Sequence, residues 1–261
     1  MIDTITILTG FGRSGELEAV PRIDLKMGDV VSIVGPTGSG KTTFINDIEL
    51  FADANTPTGR RILINGQRPP AEYRDDPARN PIALITQHTT FLSDLPVNEF
   101  LHTHARIRIT DQASRETAIE RTLSFANQLT GEPIALESRM TELSGGQTRA
   151  LLIADATIIC NTPIVLLDEV ENAGIHRTRA LELLRQYRKI FIFVTHDPRI
   201  ALLSDYRIVM QRGRITQVLH TDAEERKMAT VVSHLDDVLS NLRDKIRFGE
   251  RITSLELEGL A

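Results

Sequence analysis

Apolar positions alternate around Ile2, Ile5, Ile7 and Leu8, and a short β-branched run from Val30 to Val34 stops at a glycine. Both patterns predict strands. The glycine-rich turn that follows leads into Thr42 to Phe51, whose length and spacing predict a helix opening directly out of the turn. Further short apolar runs occur at Ile62 to Ile64, Ile82 to Ile85, Ile164 to Leu167 and Ile190 to Val194. Runs of this kind separated by helical stretches predict an α/β fold with a largely parallel sheet covered on both faces. Between them, Asn98 to Ile107 and Ala113 to Leu129 look helical and no strand signal intervenes, so a helical insert is expected from Leu95 to about Glu142. From Asp222 to Phe248, apolar residues fall at Met228, Val231, Leu235, Val238, Leu242 and Ile246, alternating between spacings of three and four. That predicts one long amphipathic helix ending near Gly249. Such a stripe more commonly packs back on its own domain; dimerisation or partner binding is the alternative. The expected organisation is a main domain over residues 1–220 and a helical extension over 221–261.

A chain of 261 residues, 41% of them hydrophobic, can bury one sizeable core with a small appended unit. The formal net charge of -5, with no run of Lys and Arg, gives no general attraction to nucleic acid or anionic lipid. The start, Met1-Ile2-Asp3-Thr4-Ile5, lacks the basic and apolar regions of a signal peptide, and no window approaches a membrane span. A membrane role would therefore come through a partner. A lone cysteine, Cys160, excludes an intrachain disulfide and a cysteine-rich metal site, which fits a cytoplasmic location.

The chemistry is concentrated in three strings. Gly35-Pro36-Thr37-Gly38-Ser39-Gly40-Lys41-Thr42 satisfies G-x-x-x-x-G-K-[ST] between a predicted strand and a predicted helix. Its glycines let backbone N–H groups wrap phosphates, Lys41 is expected at the β and γ phosphates, and the Thr42 hydroxyl at Mg²⁺. Ile164 to Glu169 is an apolar strand ending in two carboxylates, where ligands gather in open α/β sheets. Asp168 is the expected Mg²⁺ residue and Glu169 the general base for an attacking water. Leu143-Ser144-Gly145-Gly146-Gln147 precedes the periodic segment Arg149 to Ile159, and alone would read as an ordinary helix N-cap.

Taken together, these strings resemble the ATP-binding cassette (ABC) ATPase family over nearly all of residues 1 to about 220. The family's markers stand in order: the phosphate loop from Gly35 to Thr43, Gln87 after a strand, the signature from Leu143 to Gln147, Asp168-Glu169, and the switch histidine His196. The resemblance implies a P-loop NTPase fold of ABC type, with a mainly parallel sheet core, an antiparallel β portion, a helical insert and a C-terminal helix, and it implies ATP and Mg²⁺ as cofactors. It also implies a head-to-tail dimer, either a homodimer or a pair with another ABC subunit, in which each ATP lies between one phosphate loop and the other subunit's signature. Ser144, Gly145, Gly146 and Gln147 would then meet the γ phosphate across the interface, Gln87 would sense Mg²⁺ and the water, and His196 would hold the γ phosphate and orient Glu169. Phe11 is a candidate for stacking on adenine, with a plain loop aromatic as the alternative.

Two departures from the family pattern lie close to the expected interface. After the glutamate the chain reads Val170-Glu171-Asn172-Ala173-Gly174-Ile175-His176, where most members continue Pro-Thr-Ser-Ala-Leu-Asp, and Asp155 stands where an arginine is typical. Two functions compete. One is the ATPase subunit of a membrane transporter, gripping a separate membrane protein through Gln87 and the insert from Leu95 and lying at the inner face of the membrane through it. The other is a soluble cassette that remodels or activates a cytosolic protein or metallocluster complex. Chromosome-maintenance ATPases need a coiled coil for which residues 87–144 have no room, so no nucleic-acid partner is expected.

Overall fold

The computed structural model describes residues 1–168 and 177–251. Glu169 and the atypical segment 170–176 lie outside the described residues. The chain begins with β1 (Thr4–Leu8), β2 (Arg22–Lys26), β3 (Val30–Val34), α1 (Lys41–Glu49) and β4 (Arg61–Ile64). It continues through α2 (Glu72–Asp75), β5 (Ile82–Ile85), α3 (Val97–Arg108), α4 (Gln112–Leu129), α5 (Gly145–Thr157) and β6 (Ile164–Asp168). The last elements are α6 (Arg177–Leu184), β7 (Ile190–Val194), α7 (Pro198–Leu203), β8 (Tyr206–Gln211), β9 (Arg214–His220) and α8 (Ala223–Arg247).

Six strands form the main sheet in the order β5-β6-β7-β3-β8-β9, all parallel except β9, which runs antiparallel to β8. Every residue of β7, Ile190 to Val194, is buried, as a strand covered on both faces requires. Successive residues of β6 serve opposite sides. Val165 and Leu167 join the core under α3, α4 and α5, whereas Ile164 and Leu166 join the core containing Phe44, Ile45 and Ile48 of α1. The α/β class with a mainly parallel sheet follows directly.

A second sheet is antiparallel, ordered β2-β1-β4. The run Ile62 to Ile64 therefore belongs to this sheet rather than to the parallel one. Its register brings Ile5 opposite Ile64 and Ile7 opposite Ile62, so apolar side chains share one face. β2 shows the same economy, with only Ile23 and Leu25 of its five residues buried, the alternation of a sheet with one solvated side.

In the expected insert, α4 starts from Asp111, whose carboxylate accepts the Ser114 N–H at 2.8 Å. Its buried positions, Ala118, Ile119, Thr122, Phe125, Ala126 and Leu129, follow the helical period and pack on α5. At the C-terminal end α8 rests on α7 and buries Ala229, while Met228, Val231, Leu235 and Ile246 stay about half exposed or more.

Candidate functional site

Four motif-bearing segments leave the C-terminal ends of four adjacent parallel strands, β5, β6, β7 and β3. The register levels those ends, with Ile85 beside Leu167, Asp168 beside Val194, and Val194 beside Ile33. Gln87, Asp168, His196 and the phosphate loop thus face one edge of the sheet, where open α/β sheets bind ligands.

The loop from Gly35 to Gly40 owes its shape to close backbone approaches. A Cβ on Gly35 would lie 2.3 Å from the Met210 carbonyl oxygen, and one on Gly40, at φ +99°, would lie 2.8 Å from the Gly213 Cα. Only glycine fits either place. Residues 37 to 43 then line a pocket of about 200 Å³, with Arg13, Val194 and His196 completing the wall. Gly40 caps α1 without a side-chain hydrogen bond, so the N–H groups of the first turn point at this pocket with no helical partner. The buried Ser39 hydroxyl also finds no hydrogen-bond partner among the described residues. Lys41, itself buried, donates from Nζ to the carbonyls of Gly35 at 2.9 Å and Pro36 at 3.2 Å. Uncapped amides, an orphaned hydroxyl and an ammonium around one cavity fit a polyphosphate. The exposed hydroxyls of Thr42 and Thr43 and the Asp168 carboxylate are oxygen donors of the kind Mg²⁺ takes.

The residues just after His196 start α7 and are tied to one another. Asp197 accepts the Arg199 N–H at 2.8 Å to start α7, and its carboxylate pairs with the Arg199 guanidinium at 3.0 Å, both side chains being buried. Gln87 sits exposed in a turn past β5, and its carbonyl accepts from Arg149 Nη2 at 2.6 Å. That bond joins the Gln87 turn to α5, the helix behind the signature.

Ser144 is the N-cap of α5. Its hydroxyl accepts the Gln147 N–H at 3.3 Å, and the Gln147 side chain accepts the Ser144 N–H at 2.9 Å, a reciprocal capping box. The plain structural reading of the signature therefore holds, and it leaves an exposed helix N-terminus at Ser144 and Gly145. None of Ser144, Gly145, Gly146 or Gln147 lines the phosphate-loop pocket. Within one chain the two halves of the expected ATP site stay apart. Phe11, 47% exposed, packs its ring against Gly59 and is likewise absent from the pocket wall.

Two features escaped the sequence reading. Arg13 reaches the pocket because its backbone N–H bonds the Arg212 carbonyl at 3.3 Å, far away along the chain. Behind α1, the fully buried Arg60 bonds Glu18 at 2.6 Å and Asp47 at 2.8 Å and lies 4.9 Å from the Phe44 ring centre. No local pattern marks either arginine.

Comparison with known proteins bears on the family and the fold. The family model described as ABC transporter matches residues 21–172. An uncharacterised ABC transporter ATP-binding protein of Methanocaldococcus jannaschii is 46% identical over 252 residues, covering 97% of this chain and 95% of that protein. An ATP-dependent lipid A-core flippase of Paraburkholderia xenovorans is 31% identical over 73% of this chain, which spans only 32% of the flippase. Among solved structures, the cbiO1 subunit of the Clostridium perfringens cbiONQ ABC transporter complex aligns with a TM-score of 0.65 at 20% identity, covering 92% of this chain and 100% of that one. A dimeric post-hydrolysis ATP-binding cassette with ADP and phosphate aligns at 0.63 and 23% identity, covering 84% and 99%. At such identities the structural likeness concerns the fold.

Proposed function

This chain belongs to the ABC transporter ATP-binding family, and from that premise we propose that it closes head to tail on a second cassette over two ATP molecules and drives a separate membrane protein. As a family member it is an ATPase that uses ATP and Mg²⁺. The observation that carries the proposal is the separation just described: an exposed helix N-terminus at Ser144 and Gly145, away from the phosphate-loop pocket of its own chain. A second copy supplies that N-terminus to the γ phosphate, where its amides and dipole favour the anion.

In this reading the loop amides and Lys41 bind the β and γ phosphates and the Ser39 hydroxyl finds an acceptor there. Thr42, Asp168 and Gln87 hold Mg²⁺, which when bound offsets the phosphate charge and makes the γ phosphorus more electrophilic. Glu169 takes the proton of a water whose oxygen attacks that phosphorus as the bond to the bridging oxygen breaks. His196, which stands just before the Asp197–Arg199 pair at the start of α7, orients Glu169 and the γ phosphate. Phe11 is retained only as a candidate for adenine.

No helix among the described residues is long and apolar enough to cross a membrane. Attachment to a membrane would run through the partner, gripped by the Gln87 turn and α3. A soluble protein partner is the second reading, favoured by the half-exposed apolar stripe on α8. The test is Glu169→Gln: ATP hydrolysis should be abolished with ATP binding retained, and ATP should produce a dimer on size-exclusion chromatography. Unchanged turnover would remove Glu169 as the base, and a variant that stays monomeric with saturating ATP would overturn the head-to-tail sandwich.

A further inference from the structure

Away from the ATP site, three side chains of metal-binding type meet between α3 and α5. His104 of α3 lies with Nδ1 2.9 Å from Asp155 Oδ1, and Cys160, just past α5, lies with Sγ 3.5 Å from Asp155 Oδ2 and 3.9 Å from His104 Nε2. One donor atom from each residue falls within 4.8 Å of the other two. The Asp155 side chain is 9% exposed, and among the described residues its partners are this histidine and this thiol rather than an arginine or lysine. A buried carboxylate so placed lacks the full compensating charge that burial ordinarily demands.

We propose that His104, Asp155 and Cys160 bind one divalent ion of the Zn²⁺ class, which ties α3 to the helix carrying the signature. Nitrogen, thiolate and carboxylate donors together suit a borderline-soft ion rather than Mg²⁺ or Ca²⁺. The geometry is near what such an ion needs: bonds of about 2.3 Å to sulfur and 2.0 Å to nitrogen at a tetrahedral angle put S and N about 3.5 Å apart. His104, 24% exposed, gives the ion a route in and leaves a fourth position for water.

The surrounding charges set the conditions. Burial and the Asp155 carboxylate push the Cys160 thiol up to about 12, so without an ion it keeps its proton. Binding forms the S–metal bond, breaks S–H and releases that proton to solvent. Arg108 and Lys189 are the cations that act on the sulfur from outside the trio. Lys189 is turned to Asn161 Oδ1 at 2.7 Å and the Thr162 carbonyl at 3.0 Å, and burial lowers its ammonium to about 8. The site's opposing charge is therefore modest.

Cys160 is the chain's only cysteine, so any thiolate-to-cobalt charge-transfer absorption reports this site alone. The intact, metal-stripped protein is titrated with Co²⁺ beside His104→Ala, which keeps the sulfur, and Cys160→Ser. Wild type should take up one equivalent with the sulfur band, lose the band to added Zn²⁺, and melt at higher temperature with Zn²⁺ than without. His104→Ala, which removes a ligand, should weaken the band's titration by at least the roughly 10- to 100-fold that loss of an outer partner costs, and Cys160→Ser should lose it. Circular dichroism of the metal-free variants checks that each is folded. A wild-type protein that binds Co²⁺ without the band, or a band that titrates unchanged in His104→Ala, would overturn the proposal.

Discussion

Arg60 offers the sharpest test of how the phosphate-loop helix is held. Its guanidinium is fully buried and donates to Glu18 through Nε and Nη2, to Asp47 through Nη1 at 2.8 Å, and to the Gly213 carbonyl at 3.1 Å. Asp47 belongs to α1, Glu18 precedes β2, and Gly213 forms the β8–β9 turn, so one side chain joins three regions behind the phosphate-loop pocket. Replacing Arg60 with Met keeps most of the volume but strands two carboxylates, whose side chains are 0% and 3% exposed. Some donors survive: the Gly10 and Ile215 N–H groups still reach Glu18, at 2.9 and 2.7 Å, and the Thr58 hydroxyl still reaches Asp47 at 2.8 Å. Removing one partner of a buried ion pair costs about 3–5 kcal/mol, a large share of the roughly 5–15 kcal/mol that a domain has. At roughly 2–4 °C per kcal/mol, Arg60→Met should lower the melting temperature by about 6–20 °C. Arg60→Lys restores charge without the planar fork and should recover part of the loss. Urea unfolding without nucleotide is the assay, because bound ATP would add stability by mass action. A loss below about 1 kcal/mol for Arg60→Met would refute the reasoning, since that is the value of an exposed pair.

Ser144→Ala removes the N-cap of α5 and should cost about 1 kcal/mol of stability, yet lower ATP turnover well beyond tenfold, with Ser144→Thr restoring much of both. If turnover in phosphate-release assays falls only as far as the unfolded fraction explains, Ser144 has no contact with a second chain's ATP. Lys189 gives a pH prediction with a definite sign. Burial lowers its ammonium to about 8, so above that pH the folded chain has lost a proton that the unfolded chain keeps up to about 10.4. The stability of wild type relative to Lys189→Met should therefore rise across that window in urea titrations, and a constant difference would contradict the burial.

The phosphate loop, the apolar strand to Asp168 and the capping serine were legible because each is a local device. Strand, tight turn and helix start are specified by residues a few positions apart. What escaped local reading is long-range. Ile62 to Ile64 looks like any short buried strand, and only pairing with β1 assigns it to the antiparallel sheet. Glu18 and Asp47 carry no local signature, because they stand 42 and 13 positions from Arg60 and meet it only after the sheets pack. The bond from Arg149 to the Gln87 carbonyl spans 62 positions and has no signature in either segment.

By itself, then, the sequence determined the elements and the chemistry at their ends: period-two runs make strands, and glycines with a lysine at a helix start make a phosphate cradle. The tertiary structure decided which ends meet. Placing β5, β6, β7 and β3 side by side gathers Gln87, Asp168, His196 and the loop at one edge, while leaving the N-terminus of the signature helix exposed and apart from the pocket. The physical reason is that periodicity fixes which face of a segment is buried, whereas strand order and helix contacts are set by how all those faces are covered at once.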